Sequence, residues 1–68
     1  MDLPFGEYVN YERVLYSERL LLFTDKTMID ISEESGFSDV KYYYKYFKHW
    51  YGKKPDEWKK VILNPLHL

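Results

Sequence analysis

Two helical sequence patterns joined by Ser35-Gly36-Phe37-Ser38 leave this chain few ways to fold. Gly36 stands where a left-handed residue ends a helix, and Phe37 follows where a side chain can drop into a core. The helix before the turn is expected to start at Thr27, whose hydroxyl can cap it while Asp30 three positions on partly imitates the acid of a capping box. Met28 and Ile31 then face inward. Ser38 is expected to cap the helix after the turn, with Asp39 favouring its positive end and Gly52 stopping it, a length of about 13 residues. Along that helix Val40, Tyr43, Phe47 and Tyr51 or Trp50 recur at intervals of three or four and define an inward stripe, while Lys41, Lys45, Lys48 and His49 point mostly outward. A short last helix opens with Pro55, Asp56 and Glu57, carries Lys59 and Lys60 later, and stops at Asn64-Pro65. This order of charges complements the helix dipole.

Upstream, Pro4 to Phe23 reads as one long helix with a proline in its first turn. It carries two apolar rows: Phe5, Val9, Tyr16, Leu20 and Phe23 on one side, and Tyr8, Tyr11, Leu15 and Leu22 on another. A surface helix ordinarily has one such row. Two rows want two partners, and the rest of the chain is short enough to supply one. An uncovered row is therefore expected to promote dimerisation or aggregation.

At 68 residues the chain can hold one small core, and its 21% aromatic content supplies large side chains to fill it. The absence of cysteine excludes disulfides, thiolate metal ligands and thiol catalysis, and fits a reducing cytoplasm. The longest apolar run, Leu20 to Phe23, is far below the roughly 20 residues of a membrane span. The net charge of −1 argues against a partner rich in phosphate, but its distribution reverses that impression. Residues 1 to 39 hold nine acids and three bases, whereas residues 40 to 60 hold seven lysines and two acids.

A helix, a glycine turn and a second helix of these sizes make a helix-turn-helix, whose later helix is the one that enters the DNA major groove. The residues go further. Ile31-Ser32-Glu33-Glu34-Ser35-Gly36-Phe37-Ser38-Asp39, then Tyr42-Tyr43, Phe47-Lys48, Gly52 and Pro55-Asp56-Glu57-Trp58-Lys59 resemble the signature of the AraC/XylS family of bacterial transcription regulators. Arg13, Ser17 where that family prefers alanine, and Leu20-Leu21 are similar to the family's central linker helix. The resemblance covers roughly residues 5 to 60. It implies an all-α fold in which a long linker helix (region 1–24) packs on a three-helix, homeodomain-like helix-turn-helix subdomain (25–62), followed by a tail (63–68). The family's domain has two helix-turn-helix units, and the match is to the joining helix and the second unit, without the first unit or an effector-binding domain. A linker helix that packs against both units would account for two apolar rows.

The resemblance also implies the partners: double-stranded DNA, with self-association or RNA polymerase as further candidates, in the cytoplasm at the nucleoid. Val40, Lys41, Tyr42, Tyr44 and Lys45 occupy positions whose family counterparts face the bases. Lysine can donate to guanine O6 and N7, Val40 can touch a thymine methyl, and tyrosine hydroxyls can reach bases or phosphates. Related proteins often place glutamine, serine or arginine at Val40, Tyr42, Tyr44 and Lys45, which points to weaker or less specific readout here. Ser38, Lys48, Lys53 and Lys54 are the expected phosphate contacts.

Simpler readings compete at each position. A lysine face is ordinarily a solvated face. The run Tyr42-Tyr43-Tyr44 is not a stacking platform, because a helix turns neighbours apart and sends Tyr43 inward. His49 and His67 have no cluster of ligands at metal spacing, so neither a metal nor a cofactor is expected. Asp56 and Glu57 open a helix where negative charge is favoured, which explains them without acid/base chemistry. Arg13 is expected to make internal or inter-unit polar contacts and not to touch DNA. No nucleophile paired with a base is present, and the chain reads as a binding protein, not an enzyme. The rival within binding functions is a protein-interaction module working through Tyr11, Leu15 and Leu22.

Overall fold

The computed structural model describes residues 5–63, with Phe5 described by its backbone alone. Pro4, the Asn64-Pro65 stop, the tail from 64 onward and His67 lie outside the described residues. Among the described residues the structure is all-helical: α1 (Phe5–Phe23), α2 (Met28–Glu34), α3 (Val40–Tyr51) and α4 (Pro55–Leu63). α1 packs against all three of the others, and α3 also packs on α2 and α4. The architecture is thus the expected long helix on a three-helix unit.

Local chemistry sets the helix ends. Thr27 caps α2, its hydroxyl oxygen accepting from the Asp30 N–H at 3.1 Å. At the other end Gly36 takes φ +96°, its N–H donates to the Glu33 carbonyl at 3.0 Å, and the Phe37 N–H donates to the Ser32 carbonyl at 2.9 Å. This pair of reversed bonds satisfies carbonyls that the helix end would leave orphaned, and it turns Phe37 inward. The cap of α3 is Asp39 and not Ser38: Asp39 is extended, and its carboxylate accepts from the Lys41 N–H at 2.9 Å. Both side chains can cap, but an anion at the positive end of the helix gains charge stabilisation as well. The shift shortens α3 to 12 residues. Gly52 closes it at φ +80°, donating to the Lys48 carbonyl at 2.8 Å. Pro55 begins α4, where its missing N–H costs nothing, and is buried.

Val14, Leu21, Ile31, Phe37, Tyr43 and Phe47 form the core. Phe47 is its aromatic centre, stacked on Tyr51 with centroids 4.3 Å apart and meeting Trp58 and Tyr43 edge-on at 5.5 and 5.8 Å. Offset and edge-to-face contacts of this kind add roughly 0.5–1.5 kcal/mol per pair beyond area burial. The inward stripe of α3 is as expected, and Trp50 and Tyr51 both join it from opposite edges. Trp50 meets Tyr11 of α1 at 5.3 Å, while the Tyr51 hydroxyl donates to the Glu18 carboxylate.

The rows assigned to α1 need correction. Its buried stripe is Val14, Ser17 and Leu21, none of which belongs to either expected row, while Tyr8, Tyr16 and Phe23 are exposed. Apolar residues surround α1 nearly all the way round, so periodicity alone gave no direction. The decisive residue is small: Ser17 is fully buried, its hydroxyl donating to the Val14 carbonyl at 2.6 Å, and it lets α3 approach. The conclusion that one side of α1 has no partner survives the correction, since the row through Tyr16 and Phe23 faces away from the core.

Tyr43 is fully buried, yet its hydroxyl has no hydrogen-bond partner among the described residues. Ser17 lies close enough to influence its ionisation, but its own proton is committed to Val14. Burial, the largest influence, pushes the Tyr43 hydroxyl up to about 12. The folded protein therefore retains a proton that the unfolded chain releases near pH 10. This contribution to stability is intact below about pH 10 and is lost as the pH rises to about 12. Tyr43→Phe removes an unsatisfied hydroxyl, so it is expected to leave stability unchanged or raise it by up to about 1 kcal/mol. Urea melts between neutral pH and pH 11 check this: the variant should lose less stability on the alkaline side. Some loss remains, because burial followed by the bond to Glu18 raises Tyr51 in the same direction.

Candidate nucleic-acid interface

The surface of α3 divides along its length. Tyr43 and Phe47 anchor it to the core, Val40, Tyr44, Tyr46, Trp50 and Tyr51 are half-buried at the edges, and Lys41, Tyr42, Lys45, Lys48 and His49 are exposed. Lys41, Lys45 and Lys48 follow one another at spacings of four and three, which stacks them on one face. Of the five residues expected to face bases, the structure therefore brings Lys41, Tyr42 and Lys45 together on the open face. Val40 and Tyr44 stand at its borders, packed partly on the core. Ser38 is exposed just before the helix, and Lys53 and Lys54 are exposed in the break between α3 and α4. These four phosphate candidates, counting Lys48, lie at the two ends of the lysine face and not in its middle.

Sequence reasoning missed what steadies this face. Tyr46 stacks on Trp50 at 5.7 Å and 21°, Trp50 meets Tyr11 edge-on, and Phe37 stacks on Tyr46 at 6.2 Å. A row of aromatic rings thus ties one edge of α3 to α1 and to the turn. The spacing of four between Tyr46 and Trp50 was the available signal. The Lys45 ammonium lies 5.7 Å from the Tyr46 ring centroid, within cation–π range, so the row also supports a lysine of the open face.

Arg13 makes the internal contact expected of it. Its guanidinium donates to the Asn10 side chain at 3.2 Å, and its Nε lies 3.0 Å from where a β-carbon on Gly36 would stand. A half-buried arginine of α1 is therefore laid across the turn that aims α3. Glycine is required at 36 on two counts, backbone sign and proximity of Arg13, whereas at Gly52 the space beside the backbone is open.

Among the described residues no three His, Cys, Asp or Glu side chains gather to hold a metal ion. No helix there is long and apolar enough to cross a membrane. A half-open depression of about 440 Å³ is lined by Glu7, Lys45, Tyr46, Lys48, His49 and Trp50.

A short capped helix, a left-handed glycine turn and a second helix with a basic outer face define a helix-turn-helix protein. Residues 1–60 match a family model described as a helix-turn-helix domain. The chain is 35% identical over 63 residues to the Msm operon regulatory protein of Streptococcus mutans, covering 93% of this chain and 23% of that protein. It is 33% identical over 48 residues to the HTH-type transcriptional regulator ExsA of Pseudomonas aeruginosa, covering 71% and 17%. It is 30% identical over 61 residues to the melibiose operon regulatory protein of Escherichia coli, covering 90% and 20%. Among solved structures, the C-terminal domain of the two-component response regulator yesN from Fusobacterium nucleatum superposes with a TM-score of 0.78 at 33% identity, covering 84% of this chain and 55% of that one. The chain belongs to the AraC/XylS family of helix-turn-helix transcription regulators. It spans about a fifth of the length of these curated relatives.

The contact between Arg13 and the turn has a measurable consequence. Gly52→Ala should cost about 1 kcal/mol from the left-handed backbone alone, roughly 4–8 °C in Tm for a chain of this size. Gly36→Ala should cost more, and adding Arg13→Ala should recover the excess. Equal losses at both glycines would mean that Arg13 yields to the new methyl group at no cost.

Proposed function

We propose that this chain is a DNA-binding unit of a transcription regulator and that α3 is its recognition helix, lying in the major groove. The observation that carries this reading is the open face of α3, where Lys41, Lys45 and Lys48 stand together while the acids of the chain lie mainly on α1 and α2. The first half of α3 meets the base edges. Lys41 and Lys45 donate to guanine O6 and N7, Tyr42 reaches a base or a phosphate through its hydroxyl, and Val40 and Tyr44 offer apolar contact at the borders. Lys48, Lys53, Lys54 and the Ser38 hydroxyl hold the phosphate backbone on either side and set the register. Regulatory operon proteins among the relatives support the transcriptional setting.

One recognition helix reads only a few base pairs, and affinity falls sharply without a companion one helical turn away. Binding by this chain alone is therefore weak and largely electrostatic.

A salt series of duplex binding tests the proposal. Each lysine that contacts a phosphate should contribute about one to the slope of log affinity against log salt. Lys53→Ala or Lys54→Ala should lower that slope and weaken all duplexes alike. Lys41→Ala with Lys45→Ala should weaken a preferred duplex by more than a random one. Full retention of binding in the latter double variant would remove α3 from the interface.

A further inference from the structure

The lysines of α3 leave one ionisable residue on the same helix without a task. His49 is exposed, and its ring stands edge-on to Trp50 with centroids 5.1 Å apart and planes at 75°. Trp50 is itself stacked on Tyr46 and met by Tyr11 of α1, so the aromatic row that steadies α3 also backs the imidazole. Around the helix His49 lies about 40° from Lys45, on the side away from Lys41. His49, Lys45 and Lys48 together line the half-open depression whose other walls are Tyr46, Trp50 and, from α1, Glu7.

We infer that this depression seats one DNA phosphate and that His49 is a proton-linked contact to it, so that duplex binding strengthens as the solution is acidified. The inference rests on the reading of α3 as the DNA-facing helix and adds a residue and a pH dependence to it. His49 stands in the second half of α3, towards the end that also carries Lys48, Lys53 and Lys54, where contacts to the backbone are expected and contacts to bases are not. Lysine meets a phosphate as a point charge that is always present, whereas histidine is the side chain whose charge ordinarily changes between about pH 5 and 8. A neutral imidazole can donate one N–H to a phosphate oxygen; the protonated ring donates from both nitrogens and adds a positive charge.

The charges around the ring decide when that proton is held. Lys45 and Lys48, on its own helix, oppose a third cation, and Glu7, from α1, favours it. Among the described residues no titratable group of α2 or α4 lines the depression. A phosphodiester seated there offsets one lysine charge and lowers the cost of protonating His49. By linkage, whatever favours the proton in the complex makes the complex tighter when the proton is present. The added affinity is therefore present at the acid end of the range in which histidine titrates, and it is lost as the pH rises through that range.

The test is duplex binding by the 68-residue chain at low salt, near pH 7.5 and near pH 5.5, with circular dichroism to confirm that each form is folded at both. The unaltered chain should bind about three- to tenfold more tightly at the lower pH, and its salt slope should steepen by up to about one. His49→Gln should bind with nearly the same affinity at both, while His49→Lys should bind at the higher pH as tightly as the unaltered chain does at the lower. His67→Gln should keep the full response, which separates the two histidines of the sequence. Glu7→Gln, which removes the one negative wall, should strengthen binding at both pH values. An unaltered chain indifferent to pH, a response that persists in His49→Gln, or one that disappears with His67 would each overturn the inference while leaving the lysine face in place. Absence of duplex binding by every form, even at low salt, would instead remove the reading of α3 on which the inference stands.

Discussion

The fold depends on how closely α3 can lie against α1. Ser17 is buried without occupying much space, and its hydroxyl is satisfied within its own helix by the Val14 carbonyl. A larger side chain there would push Tyr43 and Phe47 away from Val14 and Leu21, and with them the helix that carries the lysines. Everything on the open face is positioned from behind, by the aromatic row through Tyr46, Trp50 and Tyr11 and by the Phe47 cluster.

Most of the fold was legible because punctuation and periodicity agree in the second half of the chain. Thr27, Gly36, Gly52 and Pro55 each end or begin a helix by a local mechanism that operates regardless of tertiary context, and α3 has a clear inward stripe. The first half was harder. α1 is apolar around most of its circumference, and the stripe that matters runs through a serine, which composition scores as polar. The shift of the α3 cap from Ser38 to Asp39 has a similar origin, since two adjacent residues were both competent and only the backbone conformation distinguishes them. In the candidate interface, the exposed lysines followed from spacing. Val40 already stood in the inward stripe, but the half-burial of Tyr44 and the contact of Arg13 with the turn depend on where other helices lie and could not be read from one helix's pattern.

Charge is segregated along the chain. α1 and α2 hold six of the eleven acids, while α3 and the break after it carry five lysines and no acid. A polyanion approaching this molecule is therefore oriented before it makes contact, because the acidic side is repelled and the lysine side attracted.

The breaks between helices, residues 24–27, 35–39 and 52–54, are all short, so each helix meets its sequence neighbour almost as soon as both exist. The exceptions are the returns of α3 and α4 to α1, where Trp50 meets Tyr11, the Tyr51 hydroxyl donates to Glu18, and the Lys59 ammonium donates to the Thr24 carbonyl across 35 residues. Helical domains dominated by local contacts fold in roughly microseconds to milliseconds. For this chain that speed means that a molecule which opens transiently, baring Phe47 and the buried side of α1, closes again before a slower encounter with another chain can trap it.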